Sequence, residues 1–548
     1  MTLKVFESKK IERSTKETIN YKLEWLVIIF LSLVFTVICR VSQYSEIERV
    51  FVIKTDAGAF RFQMLMIASF LVLWIFFGFV LWIIFELGRW KHESCVRFIK
   101  FFLLYFSIQC VVLFLVWPGI FKQDELYLLF YTIADIRVVW VQSLFTQMFY
   151  WLAISMFPYV ASLTFFQIVI ISILAAATLK IIWDNICHKR LTYILLIPFL
   201  LLPVLDNNQF NIRNSQIAWF YLFLFVSIYY EYNKNNSIKI KKACFYLFLA
   251  TMIGAWKTEF LYLLPCLFIL IIVTNYKRDR WKSLAYIPYI IVIYLLLTLP
   301  NRLWQSEEDS YIMTAVMTPL SDVIASHLDD YDTELEPEFA KINEWIPLEE
   351  IKEDAIHLGT PMVYFEKGIV KNKEQVDELF LASLRILIHY PDEYLQNRID
   401  VYMGTNGMIA NMINHGDVSD WKQAMDIDGE DFYNYYFRYT NLGHSDLREK
   451  VITFLACRDQ NNYVHTNYMY PVFYNSTWSF IILSIIIIGM IIKKKWFNSV
   501  LYAIVVLQVP LIAMFAPSIM FMYYMPFYLT SYVFIFNELI LFLDKNKK

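Results

Sequence analysis

Residues 101–127 read FFLLYFSIQCVVLFLVWPGIFKQDELY. The first seventeen contain no charge and end on a Trp-Pro-Gly turn. Three residues beyond Gly119, the chain places Lys122, Gln123, Asp124 and Glu125 together. An apolar run of this kind fills half or more of a bilayer, since a spanning helix needs about 20 mostly apolar residues. A charge next to lipid is costly and is usually kept for a function.

The rest of the chain extends that reading. Of 548 residues, 58% are hydrophobic, 18% aromatic and 18% charged, with mean hydropathy +0.46. A soluble domain needs far less apolar content. Runs such as WLVIIFLSLVFTVIC (25–39) and WSFIILSIIIIGMII (478–492) repeat the pattern. The expected fold class is an all-α polytopic membrane protein with about twelve transmembrane helices, outer-face interfacial helices and a helical extracytoplasmic domain. The first run follows a charged stretch and lacks a small-residue cleavage site, so it reads as a retained helix and not a signal peptide. The seven cysteines are scattered singly, with no CxxC pair, which points to neither zinc nor disulfides.

The positive-inside rule orients the segments. SKKIERSTK (8–16), GRWKHESCVR (88–97), DNICHKR (184–190), NKNNSIKIKK (233–242), YKRDRWK (276–282), KKKW (493–496) and DKNKK (544–548) fall on one side, read as cytoplasmic. The expected spans are about 23–40, 62–88, 98–117, 161–183, 191–205, 216–231, 243–256, 259–275, 283–299, 477–492, 499–516 and 520–542. Residues 125–157 carry charges and stop at Pro158. They read as helices lying in the outer interface, where aromatic bodies with polar tips are at home. Residues 301–475 carry a net charge of −18 while the remainder carries +16. The expected organisation is a cytoplasmic N-terminus (1–22), a nine-span catalytic module (23–300, with an acidic outer loop at 118–158), a soluble extracytoplasmic domain (301–475) and a three-span C-terminal module (476–548). Both termini are then cytoplasmic, in a multi-pass plasma-membrane protein.

Three polar groups fall on the outer side of the first nine spans: KQDE (122–125), NIRNSQ (211–216) and WKTE (256–259). A departing lipid phosphate needs positive charge, which Arg213 or Lys257 offers. A hydroxyl acceptor needs a base within hydrogen-bond reach, which Asp124 offers. Together these suit glycosyl or phosphoryl transfer from a lipid-linked donor. Blander readings exist for each. The acidic pair suits a solvated helix end, Lys257 and Glu259 suit a structural ion pair in a tight turn, and Arg213 suits a headgroup anchor. The dispersed histidines make a poor metal set, and Tyr523 and Tyr524 suit an interfacial aromatic belt.

An outer Asp-Glu followed almost at once by Tyr and by interfacial helices resembles the GT-C superfamily of integral-membrane glycosyltransferases. The arrangement is most like the protein O-mannosyltransferase and aminoarabinose-transferase branch, and the WPGIFKQDE form resembles bacterial relatives with a Pro-Gly-x-x-x-x-Asp element. WKTEFLYLLP (256–265) and the insert at 301–475 fit the same pattern. The resemblance implies a transferase of the bacterial plasma membrane. Its donor is a polyprenyl-phosphate sugar and its acceptor a cell-envelope glycan, such as a wall polysaccharide or teichoic acid. Asp124 is then the general base or acceptor-orienting carboxylate, and Glu125 the second carboxylate or a metal contact. Lys257 and Arg213 bind the lipid phosphate, paired with Glu259, and Tyr127, Trp140 and Gln142 line the sugar site. No organic cofactor and no nucleic acid are expected, a divalent cation is allowed, and membrane lipids are the surroundings. The alternatives are a polymerase of lipid-linked repeats and a transporter or flippase of lipid-linked sugars. A transporter should show mid-span charges and a repeated half, and the sequence shows few of the former and no repeat.

Overall fold

The computed structural model describes residues 2–89, 93–121, 123–133, 136, 143–210, 213–279, 285–304, 310–355, 359, 363–366, 373–409, 445–459 and 466–545. Side chains are described from Leu23 onward, except at 89, 123, 124, 126, 127, 130, 276–279, 300–304, 310–312, 365, 366, 373, 445 and 545. Among these residues every regular element is helical. The helices are α1 (Thr2–Val50), α2 (Asp56–Arg89), α3 (Glu93–Leu115), α4 (Gln123–Ile133), α5 (Leu144–Met156), α6 (Ala161–Asn185), α7 (Leu196–Phe199), α8 (Leu202–Gln209), α9 (Arg213–Asn235), α10 (Ile240–Trp256), α11 (Leu263–Asp279) and α12 (Tyr286–Trp304). They continue as α13 (Met317–His327), α14 (Glu336–Trp345), α15 (Leu348–Glu353), α16 (Val363–Glu366), α17 (Lys373–His389), α18 (Pro391–Thr405), α19 (Ser445–Leu455), α20 (Tyr470–Phe473), α21 (Ser476–Ile492), α22 (Trp496–Val506), α23 (Gln508–Phe515) and α24 (Met525–Lys545). Short 3₁₀ turns at Lys189–Leu195, Thr258–Phe260 and Phe521–Tyr523 join some of them.

Eight helical stretches are long and apolar enough to cross a membrane, or nine if the bent stretch 189–209 counts as one. Their burial sorts them. The most apolar windows of α1 and α2 are 22% and 17% buried, whereas that of α6 is 67% buried. α6 therefore lies at the centre of the bundle beside α9, whose Trp219, Tyr221 and Phe225 are fully enclosed. α1 and α2 turn their apolar surface outward, as lipid-facing helices do. Arg40, in the apolar stretch of α1, is the exception on that side. It is buried and donates to the Ser155 carbonyl and the Ser69 hydroxyl, tying α1 to α5 and α2. A cation inside such a helix is tolerated only when its donors are satisfied in this way.

All twelve segments expected from the apolar runs contain helix, but one departs from a straight rod. The stretch expected at 191–205 is a 3₁₀ turn followed by α7 and α8, bent by 67° at the break. Pro203 opens α8, where its missing N–H costs nothing. The carbonyls freed at the break and at the far end of α8 find side-chain donors. Tyr105 donates to Phe199 O at 3.1 Å, Gln167 to Asn208 O at 3.0 Å and also to Phe210 O, and Ser215 to Asn207 O. Irregular backbone at membrane depth requires this kind of compensation. Asp206, Asn207, Asn208 and Gln209, expected in an exit loop, instead lie on α8 and are buried. α1 likewise runs past the expected end at residue 40 to Val50. α4 and α5 have 11 and 13 residues, about 17 and 20 Å at 1.5 Å per residue, too short to span.

The helix ends assort into two sets. At one end Arg97 meets Asp184, His188 meets Asp544, Lys242 meets Glu231, and Asn233 meets Asn498. This basic end carries the exposed lysines at 234, 239, 241, 242 and 493–495. At the opposite end lie the WPGIF turn, the end of α8 and the turn after α10. Helices α13–α18 build their own apolar cluster around Leu320, Phe339, Ile342 and Ile386. That cluster docks on the acidic end. Thr318 donates to Pro517 O, Tyr394 to Met514 O at 3.2 Å, and Arg398 to Ala516 O at 2.7 Å.

Candidate functional site

The WPGIF turn organises the acidic end. Gly119 sits at φ +121°, and a Cβ there would stand 2.1 Å from Thr164 Oγ1. Only glycine fits. Thr164 uses that approach to donate to Pro118 O at 3.2 Å, and Ile120 N donates to Gln209 O at 3.0 Å. Arg448, from α19, spans the turn from the other side, with Nε on Trp117 O and a second guanidinium nitrogen on Gly119 O, both at 3.0 Å. A planar fork suits two neighbouring carbonyls, and a cation suits the C-terminal end of a helix such as α3. The turn is thus tied to α6, α8 and α19 immediately before α4 begins.

α4 carries the acidic pair. Glu125 is 2% exposed, so its side chain turns into the protein and is not the solvated loop end that its position allows. The backbones of Asp124 and Tyr127 lie in α4, and their side chains fall outside the described residues, as do Trp140 and Gln142 altogether. Among the described residues, no group of three or more His, Cys, Asp and Glu is placed to hold a metal ion.

The turn after α10 gathers the other expected residues. Lys257 is 3% exposed, its ammonium 3.2 Å from Glu259 Oε1 and 4.0 Å from the centre of the Tyr523 ring. Arg213, at the start of α9, donates to Trp256 O at 3.5 Å. The Trp256 indole N–H is fixed by Thr146 Oγ1 of α5 at 2.9 Å. Burial draws the Lys257 ammonium down to about 8. Glu259 opposes that shift, and Arg213 adds to it. An ammonium shut in apolar surroundings with a second cation near it is a site that gains from an incoming anion. The structure brings Lys257, Glu259 and Arg213 together, and leaves the side-chain relation of Asp124 to them undescribed.

A second charged cluster lies nearby. Asp206 of α8 is 4% exposed and accepts from the Tyr474 hydroxyl at 2.8 Å. Arg458, 5% exposed, is held by burial below its ordinary value, and Asp206 is the main group opposing that shift. The 3₁₀ turn Phe521–Tyr523 joins the two clusters, since Phe521 packs on Tyr474 at 4.9 Å between ring centres while Tyr523 covers Lys257. Asp206, Arg458 and Tyr474 are therefore residues that the sequence did not single out, and Tyr523, expected in an aromatic belt, lies over Lys257. A hint existed for Asp206, which follows a short apolar run broken by two prolines.

In comparisons with protein-family models, curated proteins and solved structures, the chain matches none.

Proposed function

We propose that the chain is a GT-C-like membrane glycosyltransferase. It moves a sugar from a polyprenyl-phosphate donor to a cell-envelope glycan on the outer face of a bacterial plasma membrane. The observation that carries this reading is the Lys257 site, an enclosed ammonium with Glu259 and Arg213 beside it, set between two apolar helices. Holding that cation dry is costly, and an anion that arrives with a lipid tail explains why it is held there. Lys257 and Arg213 hold the donor phosphate. Asp124 takes the proton of the acceptor hydroxyl as that oxygen bonds to the anomeric carbon. The sugar–phosphate bond breaks and the electron pair leaves with the polyprenyl phosphate, where the two cations stabilise it. Glu125 assists from its buried position on α4. Twelve spans, cytoplasmic termini and an extracytoplasmic 301–475 belong to the same proposal.

The test is transfer from a panel of synthetic polyprenyl-phosphate sugars by the purified chain, with envelope glycan as acceptor. Product that requires both substrates supports the proposal, and absence of turnover with every donor refutes it. The orientation is tested separately on intact cells. A cysteine placed in 310–355 should react with an impermeant thiol reagent, and one placed at 233–242 should not.

A second reading, a flippase of lipid-linked sugars, is favoured by the bent stretch 189–209 and its buried amides. Broken helices of this kind line transport paths in known folds. Movement of a fluorescent polyprenyl-phosphate sugar across reconstituted vesicles without acceptor would select it over transfer.

A further inference from the structure

The Lys257 site is closed, and the ring that closes it is itself partly exposed. Lys257 is 3% exposed, so no phosphate oxygen reaches its ammonium in this arrangement. The Tyr523 ring lies over the ammonium at 4.0 Å, and Tyr523 keeps part of its surface open. A tyrosine face over an ammonium is a cation–π contact, stronger when the cation is desolvated. It supplies in the empty site part of the stabilisation that an anion supplies in the filled one.

The segment that presents this ring is gripped from the far side. Its carbonyls at Met514, Ala516 and Pro517 accept from Tyr394, Arg398 and Thr318 of the acidic helical cluster. Within the membrane bundle, Gln508 donates to Tyr523 O at 3.4 Å. The ring's segment is thus held in part by α13, α18 and α23, which carry neither Lys257 nor Glu259. Lys257 and Glu259 lie on the turn after α10, so their ion pair and the Tyr523 contact are separate interactions of the same ammonium.

We propose that Tyr523 is the access-controlling residue of the Lys257 site, and that a phosphate anion occupies the site by displacing the Tyr523 ring from the ammonium. The inference deepens the reading under Proposed function and rests on it for the identity of the ligand. A neutral headgroup gains nothing from the exchange, because it would trade a cation–π contact for a weaker one. A phosphate exchanges it for a charge-assisted hydrogen bond, the stronger contact. Tyr523 therefore also selects for anionic ligands.

The experiment is competitive acetylation of the purified full-length chain with acetic anhydride at pH 8, read at Lys257 by mass spectrometry. The exposed Lys494 serves as internal reference. The folded state of each variant is checked by the buried Cys457, which stays unreactive to a thiol reagent in an intact fold. Tyr523→Ala should acetylate Lys257 about tenfold or more faster than wild type, the size of a desolvated cation–π contact. Tyr523→Phe keeps the ring and should match wild type. Equal rates in Tyr523→Ala and wild type overturn the inference, as does a Tyr523→Phe that labels as fast as Tyr523→Ala. The ligand is read in the same assay on Tyr523→Ala. Protection by a short-chain prenyl phosphate but not by inorganic phosphate supports a lipid donor, and equal protection by both supports a free phosphate. Protection by neither refutes the phosphate and with it the proposed transfer reaction, while faster labelling of Tyr523→Ala still upholds the ring as the cover.

Discussion

Replacing Lys257 by methionine separates a binding residue from a structural one. The side chain keeps its length and loses its charge. Two opposing terms decide the effect on stability. Removing one partner of a buried ion pair leaves the other uncompensated, at a cost of about 3–5 kcal/mol. Holding the ammonium dry has its own cost. The gap between about 8 and the ordinary 10.5 corresponds to about 3 kcal/mol, at roughly 1.4 kcal/mol per pH unit. Methionine removes that cost. The Glu259 side chain is 25% exposed and retains some hydration, which softens the first term. At pH 7 the two terms nearly cancel, and Lys257→Met should lie within about 2 kcal/mol of wild type. The pH dependence is the sharper signature. Below about 8 the lysine is protonated in both folded and unfolded chains, and the full cost is present. Between about 8 and 10.5 the unfolded chain binds more protons, so wild-type stability rises with pH through that window. Lys257→Met should lack this rise. Reversible denaturant titration in detergent at pH 7 and at pH 10 measures both. In the transfer assay the donor requirement of the variant should rise about tenfold or more, as loss of a charge-assisted contact implies. A variant that loses several kcal/mol at pH 7, or a wild type whose stability is flat through the window, would refute the reasoning and leave Lys257 as the structural partner of Glu259.

Three further outcomes are expected. Asp124→Asn should fold and express normally while transfer falls about 10²–10⁴-fold, the usual worth of a positioned base. A near wild-type rate with folded-protein normalisation removes Asp124 from the chemistry. Gly119→Ala meets Thr164 Oγ1 at 2.1 Å on a left-handed backbone, so strain and overpacking together should cost about 2–6 kcal/mol. The loss should appear as a lower melting temperature, and an unchanged one refutes the turn geometry. Arg448→Lys keeps the charge but cannot span two carbonyls. Hydrogen exchange at residues 119–121 should rise in Arg448→Lys as in Arg448→Ala, and protection equal to wild type in either variant excludes the clamp.

The sequence carried the helix positions well, because a membrane helix declares itself through one property, an uninterrupted apolar run, at every turn. It carried the meeting of Lys257 with Glu259 for a similar reason, since both stand in one short turn between two such runs. It did not carry the shape of 189–209. A straight helix and a bent pair bury the same apolar residues, and the donor beside the bend comes from Tyr105, 94 positions away in the chain. It did not carry the direction of Glu125 either. Periodicity around a charge at a helix end is compatible with water or with protein, and packing of α4 against α5 decided the matter. The meeting of Asp206 with Tyr474 spans 268 positions, and no local pattern announces it.

These long-range contacts share a direction, and that gives the acidic end a mechanical logic. Three polar features near the proposed chemistry are met from the C-terminal half, while Lys257 and Arg213 are also met from their own half by Glu259 and Trp256. Arg448 holds the turn before the acidic pair, Tyr474 and Arg458 attend Asp206, and Tyr523 covers Lys257. None of these contributions is apolar packing of the kind that two membrane helices make with each other. The Arg448 and Tyr474 contacts are hydrogen bonds, which weaken steeply outside their narrow range, and the Tyr523 contact is a cation–π contact that tolerates more movement. In the proposed transferase the site is then expected to depend on the C-terminal elements seated on it, and loss of transfer without loss of membrane assembly is the signature to seek when the contacts are broken one at a time.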